Sequence, residues 1–398
     1  MTNNTRRAFV RNAALTAFGI GTAPAWLTRA AYAGTPGKKV LVAIFQRGAM
    51  DGLNAVIPYG EKRYTELRPT LAVPRETLID LDGFFGFHPA LKPLKSLWDD
   101  RHLAAIHATG SPDPTRSHFD AQDFMESGTP GRKATRDGWL NRAIGAQTSP
   151  SPIRAVSTGG TLARSLRGPN PAVAVNTISG FKVRDNAQAE FMSMYSQSTD
   201  AVLQGTGKDT FQAVKLLESI GNAKGASGAT YPNSRLGQSL EQIATLIKAD
   251  AGLEVAFADT LGWDTHIGQA QTLQGLLSDF ALSIAAFHQD LGPRMADVTL
   301  VSMSEFGRTA RENGNRGTDH GHANVMFVLG ADVQGGKVHG QWPGLEVEQL
   351  YERRDLAVTT DFRDVLATVV QHRSGSKDLS KIFPGHEAKP LHFFRPTQ

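Results

Sequence analysis

The sequence predicts an α/β fold in which a mostly parallel sheet carries helices on both of its faces. Short apolar runs rich in β-branched residues recur along the chain, and stretches with helical periodicity lie between them. This alternation is typical of parallel sheets, because each crossover helix packs back against the sheet. The predicted strands are Val40–Phe45, Leu103–Ile106, Ala172–Val175, Leu253–Phe257, Val298–Met303 and Val325–Leu329. The predicted helices are Pro89–Trp98, His118–Glu126, Thr210–Ile220, Leu236–Ala249, Thr272–Gly292 and Phe362–His372.

One segment departs from this alternation. Residues 176–235 contain more Ser, Gly, Gln and Asn than the rest of the chain and have fewer strand signals. We interpret this segment as a helical insertion or cap, with flexible turns at 205–207 and 221–228. It would belong to one α/β domain that extends over residues 34–398.

Residues 1–33 have the features of a twin-arginine signal peptide. The pair Arg6-Arg7 precedes a weakly apolar stretch from Asn12 to Leu27, and small residues around Ala33 follow it. The stretch is too short to span a bilayer stably, since a spanning helix needs about 20 apolar residues. We therefore expect a periplasmic or secreted protein that meets the twin-arginine translocase during export and has no stable membrane span. The alternative is an N-terminal amphipathic arm in which the arginines occur by chance.

The charge balance does not indicate nucleic acid or an anionic membrane as a partner. The chain has 42 Lys and Arg against 38 Asp and Glu, but residues 1–33 contain Arg6, Arg7, Arg11 and Arg29 and no acidic residue. The remainder therefore has 38 residues of each sign and no net charge. The absence of cysteine excludes disulfides, thiolate nucleophiles and Cys-ligated zinc.

Polar residues follow the first two predicted strands, at the position where α/β proteins bind ligands. After Val40–Phe45 come Arg47, which could hold an oxyanion, and Asp51, which could bind a metal ion. The alternative for Asp51 is an ordinary Asp-Gly turn. Ser117 follows the second strand at the start of a predicted helix, where it would be a nucleophile or simply the N-cap of a capping box with Asp120.

Two later strands are followed by richer clusters. Asp264 and His266 come after the fourth strand, and Arg308 follows the fifth. Further along the same loop, a carboxylate and two imidazoles occur within the four residues Asp319–His322, framed by glycines. Neither a strand nor a helix core favours this composition, so it indicates a metal site or an active site.

Together these residues form a candidate set of metal ligands. Carboxylates and imidazoles without thiolate suit zinc or manganese, with magnesium or calcium as alternatives. The number of ligands is sufficient for two metal ions. The candidates are Asp51, Asp264, His266, Asp319, His320 and His322, with His339 nearby.

Several motifs spread through the chain resemble those of a known family. They are Phe45–Asn54, His88–Leu91, Ser117–Asp123, Gly262–His266, Ser304–Thr309 and Gly317–Gly321. They are similar to motifs of bacterial twin-arginine-exported proteins that carry a domain of unknown function, a family grouped with the alkaline phosphatase and sulfatase superfamily. The resemblance extends over nearly all of the chain after residue 33. It implies an alkaline-phosphatase-like fold and hydrolysis or transfer of phosphate or sulfate esters at a two-metal site.

The resemblance also implies roles for single residues. Asp51 matches an early ligand by position, Ser117 matches the nucleophile by position, and the pair Asp319-His320 matches a late ligand pair. The second metal ion of the superfamily is held by Asp and His four residues apart, whereas Asp264 and His266 are two apart. The last histidine ligand would be His322 or His339.

Phosphate chemistry is favoured over sulfate chemistry. Sulfatases need Cys or Ser with Pro two and Arg four residues later, and the stretch Ser111–Arg116 does not have this spacing. The sequence therefore predicts an exported metal-dependent hydrolase or transferase that acts on a phosphate ester, less favourably a sulfate ester. Ser117 would attack, and Arg47 or Arg308 would stabilise the developing charge. The alternative is a non-catalytic envelope protein that serves binding or assembly and retains the fold.

Overall fold

The computed structural model describes residues 39–144, 151–178, 212–221, 228–375 and 378–395. The predicted signal peptide at 1–33 lies outside the described residues, as do most of the predicted insertion and its turn at 205–207. A helix at 212–221 is described within that insertion.

Each predicted strand and each predicted helix overlaps one that is observed. The strands are β1 (Val40–Gln46), β2 (Val56–Ile57), β3 (Ile79–Asp80), β4 (Gly86–Phe87), β5 (Leu103–Gly110), β6 (Ala155–Thr158), β7 (Val173–Val175), β8 (Val255–Thr260), β9 (Val298–Met303), β10 (Asn324–Gly330), β11 (Val338–His339) and β12 (Thr360–Asp361). The helices are α1 (Gly52–Ala55), α2 (Lys62–Leu67), α3 (Lys95–Asp99), α4 (His118–Ser127), α5 (Trp139–Ile144), α6 (212–221), α7 (Arg235–Lys248), α8 (Gln269–Leu291) and α9 (Phe362–Ser374).

The main sheet has the strand order β11-β5-β10-β9-β1-β8-β6-β7, with β12 also paired to β5. The central strand β1 is parallel to both β8 and β9. The exception to parallel pairing is β10, which is antiparallel to its neighbours β5 and β9. The predicted α/β class with a mostly parallel sheet is confirmed.

Helices cover both faces of this sheet, as predicted. Successive side chains of a strand point to opposite faces, and all residues of β1 are buried. On one face, Val42 and Ile44 pack in a core with α7 and α8. On the other face, Leu41 and Ala43 pack in a core with α5 and α9. Within the described ranges, no helix is long and apolar enough to cross a membrane.

The strand directions determine where the polar loops meet. The carboxyl ends of β1, β5, β8 and β9 lie at one edge of the sheet. Because β10 runs the opposite way, its first residue, Asn324, lies at this same edge. The loops after four parallel strands and the loop before β10 therefore converge, and they contain most of the candidate site residues.

Candidate metal centre

Three histidines from three different loops meet at this edge. The Nε2 atom of His320 lies 3.0 Å from Nε2 of His118 and 3.0 Å from Nε2 of His266. Asp264 completes the group, with Oδ1 at 3.0 Å from Nε2 of His266 and 3.2 Å from Nε2 of His320. We call His118, Asp264, His266 and His320 the histidine cluster.

The opposite nitrogen of each imidazole has a fixed acceptor. The Nδ1 atom of His118 lies 2.8 Å from Oε1 of Glu305, and that of His266 lies 3.0 Å from Oδ1 of Asp319. The Nδ1 atom of His320 lies 2.9 Å from the backbone oxygen of Arg116. A carboxylate and a carbonyl only accept hydrogen bonds, so each Nδ1 carries the hydrogen. In the neutral rings, three Nε2 lone pairs therefore face one another.

A divalent cation fits this arrangement. Three lone pairs and a carboxylate at about 3 Å repel each other unless positive charge lies between them. Three imidazoles with one carboxylate form a ligand set that suits zinc, and acceptors on Nδ1 are the usual second shell of metal-bound histidines. The ligand atoms of His118, Asp264 and His320 lie within 4.8 Å of one another, close enough for one ion.

Glu305 supports the histidine cluster through its hydrogen bond with His118. It is the second residue after β9, and its side chain is fully buried. Its Oε1 also accepts hydrogen bonds from the backbone NH of Gly48 and from Nε2 of Gln122, each at 2.8 Å. Burial alone would raise the pKa of Glu305, but the hydrogen bonds from His118, Gln122 and Gly48 outweigh it and hold the pKa low. Glu305 is therefore a carboxylate that fixes His118.

The ionisation of the cluster follows from its contacts. The hydrogen bond to Glu305 raises the pKa of His118, whereas burial lowers the pKa of His320. Burial would raise the pKa of Asp264, but the guanidinium of Arg308 and the nearby His266 lower it overall. The hydrogen bond from Asn313 lowers the pKa of Asp319, with a further contribution from His266. Both carboxylates are therefore charged at neutral pH.

Close backbone contacts hold the loops together. A Cβ atom on Gly317 would lie 2.2 Å from the backbone oxygen of His266, so only glycine permits this approach. The backbone NH of Thr318 donates to the backbone oxygen of Thr265 at 3.2 Å. The loop that carries His320 is thus fixed against the loop that carries His266.

The two arginines predicted to stabilise an oxyanion are engaged by the protein itself. Arg308 is fully buried and donates to Oδ1 of Asp264 at 2.6 Å and to backbone oxygens of the loops, including that of Gly48 at 2.7 Å. Arg47 donates to Glu126 at 2.9 Å and to Asp259 at 2.8 Å. Their contacts indicate that Arg308 fixes Asp264 and that Arg47 stabilises the base of the site.

Ser117 occupies the N-cap position of α4, but its side chain makes no capping hydrogen bond. The interpretation of Ser117 and Asp120 as a capping box is therefore wrong, and Asp120 pairs with Lys133 instead. Ser117 is exposed and directly precedes His118 in the chain.

Three of the predicted ligands are not brought to the histidine cluster. Asp51 is buried in an ion pair with Arg68, at 2.6 Å. The ring of His322 stacks on Tyr351, with centroids 4.4 Å apart. On β11, Nε2 of His339 lies 3.0 Å from the backbone oxygen of Gln334. Asp319 reaches the cluster through Nδ1 of His266.

Sequence reasoning missed three residues that shape this edge. No role was predicted for His118, because the neighbouring Ser117 suggested a nucleophile. An imidazole at the start of a helix that follows a strand was nevertheless a usable signal. Glu305 is the second residue after a predicted strand, which was also a signal. No signal in the sequence marked Arg68, because it lies in a charged stretch that resembles any exposed helix.

Comparison with protein families gives a match over residues 38–382, to the family described as "Protein of unknown function (DUF1501)". This chain belongs to the DUF1501 family. The match includes every member of the histidine cluster and confirms a family with a domain of unknown function, as the sequence motifs indicate. A search of curated proteins finds no match.

Among solved structures, this DUF1501 chain is similar to several proteins at low identity. One is a protein in the alkaline phosphatase superfamily from Vibrio parahaemolyticus, with 11% identity, a TM-score of 0.38 and coverage of 94% of this chain and 75% of the other. Another is the periplasmic domain of EcEptC from Escherichia coli in complex with Zn, with 10% identity, a TM-score of 0.37 and coverage of 74% and 72%. A third is a putative sulfatase from Bacteroides thetaiotaomicron, with 11% identity, a TM-score of 0.35 and coverage of 89% and 76%.

Proposed function

We propose that this protein is an exported, metal-dependent hydrolase or transferase that acts on a phosphate ester. The observation that carries the proposal is the convergence of three histidine Nε2 atoms and the Asp264 carboxylate, with each Nδ1 held by an acceptor. A divalent cation held there would polarise an ester oxygen and offset the negative charge that develops during transfer.

The centre is open to solvent on one side. The side chain of Asp264 is 45% exposed and that of His266 is 38% exposed, whereas Glu305 beneath them is fully buried. A phosphate ester could therefore approach the cluster from outside while the supporting carboxylate stays dry. The sequence departs from the sulfatase pattern, which favours phosphate as the transferred group.

Ser117 is the proposed attacking group. Its side chain is exposed and makes no capping bond, so its hydroxyl is not committed to the helix. It lies at the N-terminus of α4, where the helix dipole favours negative charge such as a phosphate or a developing alkoxide. Its chain neighbour His118 belongs to the cluster, which supports Ser117 as the candidate attacking group.

A second candidate is a non-catalytic envelope protein with a structural ion. The number of converging donors favours it, because four protein ligands complete the tetrahedral coordination typical of structural zinc and leave no open position. In this case the ion would stabilise the loops, and Ser117 would have no chemical role.

Metal content and ester turnover distinguish the two candidates. We expect wild-type protein to retain a divalent ion by elemental mass spectrometry and to hydrolyse members of a phosphate mono- and diester panel, with sulfate esters tested alongside. Ser117→Ala should keep the ion and lose turnover, whereas Ser96→Ala, at an exposed serine on α3, should keep both. A bound ion without turnover of any ester supports the structural role, and a folded protein that binds no divalent ion contradicts both.

Export by the twin-arginine route is part of the same proposal and rests on the sequence of residues 1–33. Replacement of Arg6 and Arg7 by lysine should leave the protein in the cytoplasm of an expressing bacterium. Cell fractionation followed by immunoblotting measures this, and unchanged periplasmic yield would contradict the proposed route.

A further inference from the structure

The family resemblance implies a metal ligand at the position of Asp51, but a cation of the protein already neutralises this carboxylate. Its Oδ2 atom is 2.6 Å from Nη1 of Arg68, and the two side chains are 1% and 0% exposed. A guanidinium stays charged under all ordinary conditions. The negative charge of Asp51 is therefore balanced without metal. We call these two residues the Asp51–Arg68 pair.

Arg68 is fixed in this position by further hydrogen bonds. Its Nε donates to the backbone oxygen of Ala310 at 3.0 Å, and Nη2 donates to that of Thr309 at 2.8 Å. Nη1 also donates to Oδ1 of Asn54 at 2.6 Å. A metal ion at Asp51 would have to displace this guanidinium and leave it buried without its counter-ion, which is costly.

Among the described residues, Asp51 belongs to no group of His, Asp and Glu side chains that could share an ion. Its Oδ1 atom is buried and has no hydrogen-bond partner in the described structure. One water molecule would be enough to donate a hydrogen bond to it. A divalent ion needs several ligands, and the His, Asp and Glu side chains found close enough to share one, in the part of the chain that the structure describes, are His118, Asp264 and His320 of the histidine cluster. The residues at Asp51 do not fit a second ion.

Asp51 is connected to the histidine cluster through one buried amide. Gln269 donates from Nε2 to Oδ2 of Asp51 at 2.5 Å. Its Oε1 accepts from the hydroxyls of Thr265 at 2.9 Å and Thr318 at 2.5 Å. Thr265 lies between two members of the cluster, and Thr318 precedes Asp319. The Asp51–Arg68 pair thus supports both loops that carry the cluster.

We propose that this chain binds one divalent cation, in the histidine cluster, and that Arg68 takes the place of a second. Asp51 is then a positioning residue, which acts on the centre through Gln269 and touches no metal ion. This inference rests on the proposed metal centre and specifies its stoichiometry and the role of its supporting residues.

The stoichiometry of wild-type protein tests the inference without any variant. The protein is loaded with Mn²⁺, freed of excess ion and measured by elemental mass spectrometry and electron paramagnetic resonance. We expect one ion per chain and a spectrum without coupling between ions. Two ions per chain with a coupled spectrum, as for metals about 3.5–4 Å apart, would overturn the inference but leave the proposed function standing. No bound ion after loading with manganese or zinc would overturn both.

A charge-neutral replacement tests the role of Asp51 directly. The double variant Asp51→Asn/Arg68→Met removes both buried charges together, and circular dichroism verifies its fold. It should still bind one ion, whereas Asp264→Asn should bind none or bind it far more weakly. Loss of the ion from a folded double variant would show that Asp51 is a ligand and overturn the inference.

Gln269→Met tests the connection between the pair and the cluster. It should leave the stoichiometry at one and weaken metal binding by about 10–100-fold, the usual effect of losing an outer-shell support. Gln274→Met, at an exposed position on the same helix, is the matched control. An unchanged Kd in Gln269→Met would contradict the positioning role of Asp51.

Discussion

The histidine cluster and the Asp51–Arg68 pair belong to the same edge of the sheet but balance their charges differently. In the pair, a guanidinium faces a carboxylate and both are excluded from water. In the cluster, lone pairs face one another and the side chains are partly exposed. The pair is complete within the chain. In the cluster, Arg308 pairs with Asp264, but the three Nε2 lone pairs still face one another, and a bound cation would offset their repulsion. One carboxylate, Asp51, therefore belongs to a support, whereas another, Asp264, belongs to the candidate binding site.

The largest effect is expected when one charge of the Asp51–Arg68 pair is removed. Arg68→Met leaves the carboxylate of Asp51 buried without its counter-ion, and we expect a loss of about 3–5 kcal/mol in the free energy of unfolding. Urea denaturation followed by circular dichroism measures this. The double variant Asp51→Asn/Arg68→Met should recover most of the loss, and a single variant as stable as wild type would show that the pair carries no such charge balance.

Removal of one ligand tests the cluster in the same manner. His118→Ala should weaken zinc binding by about 10²–10³-fold, since one of four ligands contributes about a quarter of a total of about 10–16 kcal/mol. Competition titration with a zinc indicator gives the Kd. His322→Phe preserves the stacking on Tyr351 and should bind zinc like wild type. If zinc binding were unchanged in His118→Ala and weakened in His322→Phe, the ligand would be His322 and not His118.

A smaller effect is expected from Asp319, which contacts the cluster through Nδ1 of His266. Asp319→Asn removes the charged acceptor at Nδ1 of His266, and we expect zinc affinity to fall by about 10–100-fold with the stoichiometry unchanged. The same titration measures it, and total loss of the ion would show that Asp319 is itself a ligand.

A buried histidine outside the cluster offers the mildest comparison. Burial lowers the pKa of His107 from the usual 6.5 to about 4, so the unfolded chain takes up a proton that the folded chain does not. Above pH 6.5 this difference does not change the free energy of unfolding, because His107 is neutral in both states. As the pH falls from about 6.5 towards 4, the free energy of unfolding decreases. The loss at pH 5 should be about 1–2 kcal/mol, at roughly 1.4 kcal/mol per pKa unit.

His107→Asn should flatten this dependence, and thermal unfolding between pH 7 and pH 5 measures it. The exposed His392→Asn serves as the control. An equal pH dependence in wild type and His107→Asn would show that other groups dominate.

Most of the fold could be predicted because its signals are local. Apolar runs such as Val298–Met303 are strands with the bounds that the sequence indicated, and buried parallel strands are typically continuous apolar runs. The direction of β10 could not be predicted, since its apolar run looks the same in either direction. The short strands β11 and β12 depend on contacts with β5 rather than on their own sequence.

The site was predictable only in part, because its geometry depends on distant contacts. The concentration of ligand-type side chains around Asp264 and His320 was visible in the sequence, and these residues do meet. The ion pair of Asp51 was not visible in the sequence, because its partner Arg68 follows a separate helix. His118 likewise acquires its orientation from Glu305, which lies far along the chain.

The ends of the main sheet have a consequence for self-association. On one side β5 is covered by two strands of two residues each, and on the other side the last described strand is β7, with three residues. Long exposed edge strands invite pairing with the edge of another molecule and lead to aggregates. Within its described part, this sheet offers a neighbouring molecule only a few consecutive backbone hydrogen bonds on either side. The described edges of this sheet are therefore too short to pair over a long distance with the edge of another molecule.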